Sequence, residues 1–143
     1  MKGLSTLIKM RQRELDELRR NLVEQEKVLE ALMAEDKRLA EELEREREMA
    51  AQNPEMSAFY GNFAKGVEEK QEDIRLKARE VNQLIRKTRD KITEAYGELK
   101  KLEITSERLA AEAKAEADKQ EQQMMDEMGV QQFARKRAKK DEK

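Results

Sequence analysis

Two apolar stripes with a 3.5-residue repeat, parted by the only proline in the chain, limit what this sequence can fold into more than any other feature of it. In the first stripe Leu4, Ile8, Leu15, Leu18, Leu22, Leu29, Leu32, Leu39, Leu43 and Ala50 follow alternating steps of three and four, interrupted by Arg11, Gln25, Asp36 and Glu46. After Asn53-Pro54 a second stripe runs through Ile74, Ala78, Val81, Ile85, Ile92, Ala95, Leu99, Leu102, Leu109 and Ala113, with Thr88 and Ser106 as polar members. A repeat of this period lays a narrow band along a helix, and a band that long must be buried against another helix. Two such helices joined by a short break predict an all-α fold, a long antiparallel two-helix coiled-coil hairpin.

Composition agrees with a coiled coil rather than a rounded core. Of 143 residues 44% are charged and 3% aromatic, which leaves too few large apolar side chains for anything but one buried stripe per helix. Disorder is the other reading of such charge, but a seam kept in register argues against it. The outer faces carry Glu, Lys, Arg, Gln and Ala, all good helix formers, with opposite charges three or four residues apart. Lys and Arg total 31 and Asp and Glu 32, so the near-neutral chain lacks the basic surface that nucleic acid requires. There is no cysteine for a disulfide or thiolate site, and no histidine for the commonest general base. The apolar stretch from Leu4 to Ile8 is too short for a membrane span or a signal-peptide core, so the expectation is a soluble cytoplasmic protein without integral membrane insertion.

The length predicts one domain, 1–143, made of helix one at about 4–51, a turn at about 52–57, helix two at about 58–128 and a basic tail at 129–143. Helix one would span roughly 70 Å at 1.5 Å per residue. Asn53-Pro54-Glu55 reads as a helix restart with Asn as N-cap, Pro at the first helical position and Glu near the positive helix end. Gly129 reads as the stop of helix two. With a turn centred near residue 55, everything beyond about Ala110 has no partner arm and forms a C-terminal helical overhang. Its apolar residues gather at Met124, Met125, Met128, Val130 and Phe133, followed by Arg135, Lys136 and Arg137. An apolar cluster on an unpaired helix implies a partner or self-association.

Other motifs weigh less. Gly61 to Gly66 has the six-residue spacing of a phosphate loop, but Val67-Glu68 stand where Lys-Ser/Thr is needed and no strand precedes it. Acidic pairs such as Glu41 and Glu44 lie among basic neighbours on a solvated face, so they read as surface rather than as catalytic acids. Arg11, Gln25, Asp36 and Glu46 are expected to lean toward water or pair across the seam and so to specify register. Phe59, Tyr60 and Phe63 lie at the start of the second arm. There the Tyr60, Phe63 and Val67 stripe either caps the turn or offers a docking surface.

These pieces together resemble the FliJ family of flagellar export proteins, over nearly the whole length. The resemblance rests on the leucine-rich arm Leu4 to Leu43, the Gln52-Asn-Pro break and Phe59-Tyr60-Gly61-Asn62-Phe63. It rests also on Glu94-Ala-Tyr-Gly-Glu-Leu-Lys-Lys-Leu-Glu103, and on Asp126-Glu127 followed by Phe133 and Arg135. It implies a non-enzymatic stalk of the type III export apparatus, at the cytoplasmic face of the inner membrane. Its partners would be the hexameric export ATPase FliI, the export-gate protein FlhA and export chaperones. Carried onto this chain, Met124, Met125, Met128, Phe133, Arg135, Lys136 and Arg137 would meet the ATPase ring, and Tyr60, Phe63 and Val67 the gate. Where the family often carries a second aromatic group on the first arm, this chain has Glu44 to Ala51 without one. The rival readings are the equivalent stalk of a virulence secretion system and a generic coiled-coil tether. No cofactor or metal is expected.

Overall fold

The computed structural model describes residues 2–141. They form helix α1 at Lys2–Gln52, one turn of 3-10 helix at Pro54–Met56, and helix α2 at Ser57–Asp141, with no strand among the described residues.

The break between the helices is local chemistry. Proline pushes the residue before it out of the helical region, and Asn53 accordingly sits at φ −133°, ψ 102°. The Asn53 N–H still donates to the Met49 carbonyl at 3.1 Å, closing α1. Its side-chain oxygen accepts from the Glu55 N–H at 3.3 Å, and the Ser57 hydroxyl donates to the Pro54 carbonyl at 2.8 Å. One asparagine therefore ends the first helix and caps the turn that leads into the second.

The other end differs from expectation. α2 does not stop at Gly129 but continues to Asp141, so the segment read as a basic tail is helical as far as it is described; residues 142 and 143 lie outside the described residues. A glycine stop needs a left-handed residue, and among the described residues no φ is positive. The residues after Gly129 are mostly Gln, Ala, Arg and Lys, which favour helix, and Lys139 and Lys140 sit in the last turn where cations suit the negative helix end.

Contacts divide the chain into two compact units, Met10–Gly97 and a second made of Met1–Lys9 with Glu98–Lys143. In the first, the α1 positions Arg11, Leu15, Leu18, Leu22, Gln25, Leu29, Leu32, Asp36, Leu39, Leu43, Glu46 and Ala50 are all buried or half-buried, in unbroken steps of four and three. On α2 the matching series starts earlier than the sequence suggests. It runs from Tyr60 through Ala64, Val67 and Gln71 into Ile74, then on through Ile85 and Thr88 to Ala95. Leu39, Val67 and Ile74 form the core cluster, with Leu32, Leu43 and Phe63 packed against it. Arg89 reaches across to Glu26 at 3.4 Å.

The polar seam members do not all find partners. Arg11 donates to Glu14 at 3.0 Å on its own helix. Gln25 Oε1 and Asp36 Oδ1, by contrast, are buried without a hydrogen-bond partner. Glu35, next to the seam, does better: Arg38 donates to both its oxygens at 2.9 and 2.6 Å and to Glu42 at 3.1 Å. That guanidinium holds the Glu35 carboxyl below the usual carboxylate range.

In the second unit Leu4, Leu7 and Ile8 are half-buried, Leu99 is buried, and Leu102, Ser106 and Leu109 are half-buried. From Ala110 to Asp141 every residue is exposed. The seam itself stops there, because its next positions in phase are Ala113, Glu116, Gln120, Gln123 and Glu127.

Replacing Leu39, 2% exposed at the centre of the cluster, by Ala should cost about 2–4 kcal/mol in chemical denaturation, against less than about 1 kcal/mol for half-exposed Val23→Ala. Asp36→Leu should raise stability by about 1–3 kcal/mol, because it removes a buried oxygen that has no partner. A loss of stability in Asp36→Leu would mean that this carboxylate is satisfied in solution.

Candidate functional site

The residues singled out in the sequence fall on two surfaces. The first is where α1 ends and α2 begins, within the Met10–Gly97 unit. A groove there is lined by Glu46, Met49, Ala50, Met56, Phe59, Tyr60 and Phe63. Tyr60 and Phe63 are half-buried, and Phe63 packs on the Leu39 cluster. Val67 is only 3% exposed and belongs to that cluster, so it cannot present a docking surface in the folded chain. The correction has its cause in the period. Val67 lies on the seam repeat of α2, and a helix cannot turn one position of its stripe to solvent without losing the stripe.

Sequence reasoning gave Phe59 no site role and passed over Met49 and Met56. Phe59 is 71% exposed, and the two methionines flank it at the groove. The available signal was phase: Phe59 lies one residue before the seam position Tyr60, so it faces out. Met49 and Ala50 occupy the stretch of α1 that has no aromatic group, and they supply its apolar wall instead. Exposed aromatic and thioether side chains beside a single carboxylate suit an apolar anchor on a partner.

Gly61 and Gly66 lie inside α2 with nothing within 4 Å of an added Cβ, so the phosphate-loop spacing is a stretch of helix and not a loop. Its N–H groups are engaged in helical hydrogen bonds rather than turned toward an anion.

The second surface is α2 from Ala110 onward, in the other unit. Met124, Met125, Met128 and Phe133 are 56–67% exposed, and Arg135, Lys136 and Arg137 are exposed as well. At about 100° per residue, Met124, Met125 and Met128 share an arc of roughly 100°, while Val130 and Phe133 point to the other side. The apolar residues therefore surround the helix instead of forming one stripe. Arg135 falls on the methionine face, and Lys136 and Arg137 continue around the axis. Such a segment can be contacted from several sides at once.

Among the described residues no three His, Cys, Asp or Glu side chains form a metal-binding group. The exposed Lys77 ammonium is held above its ordinary pKa by its hydrogen bond to Asp73. No helix among the described residues is long and apolar enough to cross a membrane.

Compared with known proteins, residues 1–138 match the family model described as flagellar FliJ protein. No curated protein and no solved structure matches the chain.

Val67→Ser should lower the denaturation midpoint by the equivalent of about 2–3 kcal/mol, whereas Phe59→Ser should change it by no more than about 0.5 kcal/mol. Similar losses in both, measured by circular dichroism, would mean that the groove face is part of the core.

Proposed function

The chain belongs to the flagellar FliJ protein family, components of flagellar protein export, and from that premise we propose that it is a non-enzymatic stalk and adaptor of the type III export apparatus. Its two helices form an antiparallel coiled-coil hairpin. Two contacts in the Met10–Gly97 unit support this: Glu26 meets Arg89, and Leu39, later in α1, packs with Val67 and Ile74, earlier in α2. The continuation of α2 past Ala110 enters the central hole of the export ATPase ring. The observation that carries this reading is the exposure of all residues from Ala110 to Asp141, with apolar and basic side chains around the helix. A lone helix is about 10–12 Å across with side chains, narrow enough for the axis of a ring. Methionines adapt to an uneven lining, and the basic residues speed encounter with acidic groups at its mouth.

The groove at Phe59, Tyr60 and Phe63 serves the other partners, the export gate and the chaperones. Working in the cytoplasm at the membrane face, the protein links ring to gate and favours ring assembly by binding the assembled form. The flagellar description of the matching family favours flagellar over virulence export.

Spin labels test the hairpin. A pair at Leu18 and Thr93 should lie much closer than a pair at Leu18 and Ser57; long distances in both would refute it. Truncation after Ala117 should abolish stimulation of the cognate ATPase while the hairpin keeps its circular dichroism. Tyr60→Ala with Phe63→Ala should leave stimulation intact and impair export in cells. Full stimulation by the truncated chain would show that another part of the molecule faces the ring.

A further inference from the structure

We infer that α2 beyond Ala110 pairs with the same segment of a second copy of this chain, antiparallel, about a two-fold axis near Met128. The first ground is charge. From Ala110 to Glu127 the helix carries six acids, including Glu116 and Glu121, and two lysines; from Met128 to Asp141 it carries five bases and one acid. Among the described residues no ion pair is formed by Arg135, Lys136, Arg137, Lys139 or Lys140. Nor can the two blocks meet on one helix. Glu121 and Arg135 are fourteen positions apart, about 21 Å at 1.5 Å per residue, and beyond the ~8 Å range of exposed charges at physiological salt.

A second copy laid antiparallel brings the blocks together. With the axis at Met128, Glu121 of one copy lies opposite Arg135 of the other, a pair that occurs twice by symmetry. Glu121, Met124, Met128, Gln131 and Arg135 are spaced by steps of three and four, so they form one face. That face is out of phase with the buried seam, whose positions here would be Gln120, Gln123 and Glu127. The methionines meet at the centre of the pair and the charges close its ends. Self-complementary ends with an apolar middle fit another copy better than a partner of one charge sign, which would leave one block unmatched.

The dimer covers the surface proposed to enter the ATPase ring, so the two states exclude each other. Sedimentation of the full chain at low salt should show a concentration-dependent dimer that dissociates at high salt. The variants Glu116→Lys/Asp118→Lys/Glu121→Lys and Arg135→Glu/Lys136→Glu/Arg137→Glu should each be monomeric alone and form a heterodimer when mixed. Because the chain has no cysteine, single cysteines report the axis: oxidation should cross-link Met128→Cys to its own copy but not Lys114→Cys. A monomer at every accessible concentration overturns the proposal. So does a dimer that survives in both charge-reversed variants, and so does equal cross-linking at both positions, which means a parallel pair.

Discussion

Burial of one narrow stripe per helix is the constraint on which the rest of this structure depends. A helix with its apolar residues every 3.5 positions has only a thin face to hide, and only another helix of the same kind hides it along its length. Leu15, Leu39, Ile74, Ile85 and Leu99 are each below 10% exposed, yet among the described residues no large side chain is completely enclosed. A core of this shape is a single strip, and most of each helix surface stays in water. Binding must therefore use what the stripe leaves over, namely the ends of helices and their outer faces.

The stripe is not uniformly apolar, and its exceptions have a cost. Gln25 and Asp36 keep oxygens in the seam without partners, where each unsatisfied buried polar atom costs about 1–3 kcal/mol. Thr88, 7% exposed, adds a polar member on α2. A seam made only of leucine slides easily, since neighbouring registers bury similar area. Gln25, Asp36 and Thr88 interrupt that uniformity at fixed positions, the kind of polar seam member that sets register in other coiled coils. Surface pairs such as Arg38 with Glu35 and Glu42 contribute less, because both ends stay in water.

Coverage ends where the partner residues end. Past Leu109 α2 continues for 32 further described residues, Ala110 to Asp141, on local propensity and charge alone. That stretch combines exposed methionines with two oppositely charged blocks. Isolated helix is marginal in water, so a segment of this composition gains stability by binding. Phe59, Met49 and Met56 show the same principle at the other surface: where the seam stops, the apolar residues that remain face outward.

The all-α class, the two long helices, the break at Asn53-Pro54, the first seam and the family were legible in the sequence, because period, capping and proline act through neighbouring residues. The second seam was legible only from Ile74. Ala64 and Gln71 are weak or polar members of the stripe between Tyr60 and Ile74, and Gly61 and Gly66 disguise it further. Extending the repeat back from Ile74 by sevens puts Val67 and Tyr60 on the seam and Phe59 off it, but only the packing against Leu32, Leu39 and Leu43 of α1 showed that the seam continues that far. The same holds for Gln25 and Asp36: their side chains are long or flexible enough to lean outward, and the closeness of the opposing helix is what keeps their oxygens from water. Gly129 remains helical for a local reason that the sequence also contained, because nothing after it bends the chain and the basic residues beyond favour the negative end of the same helix.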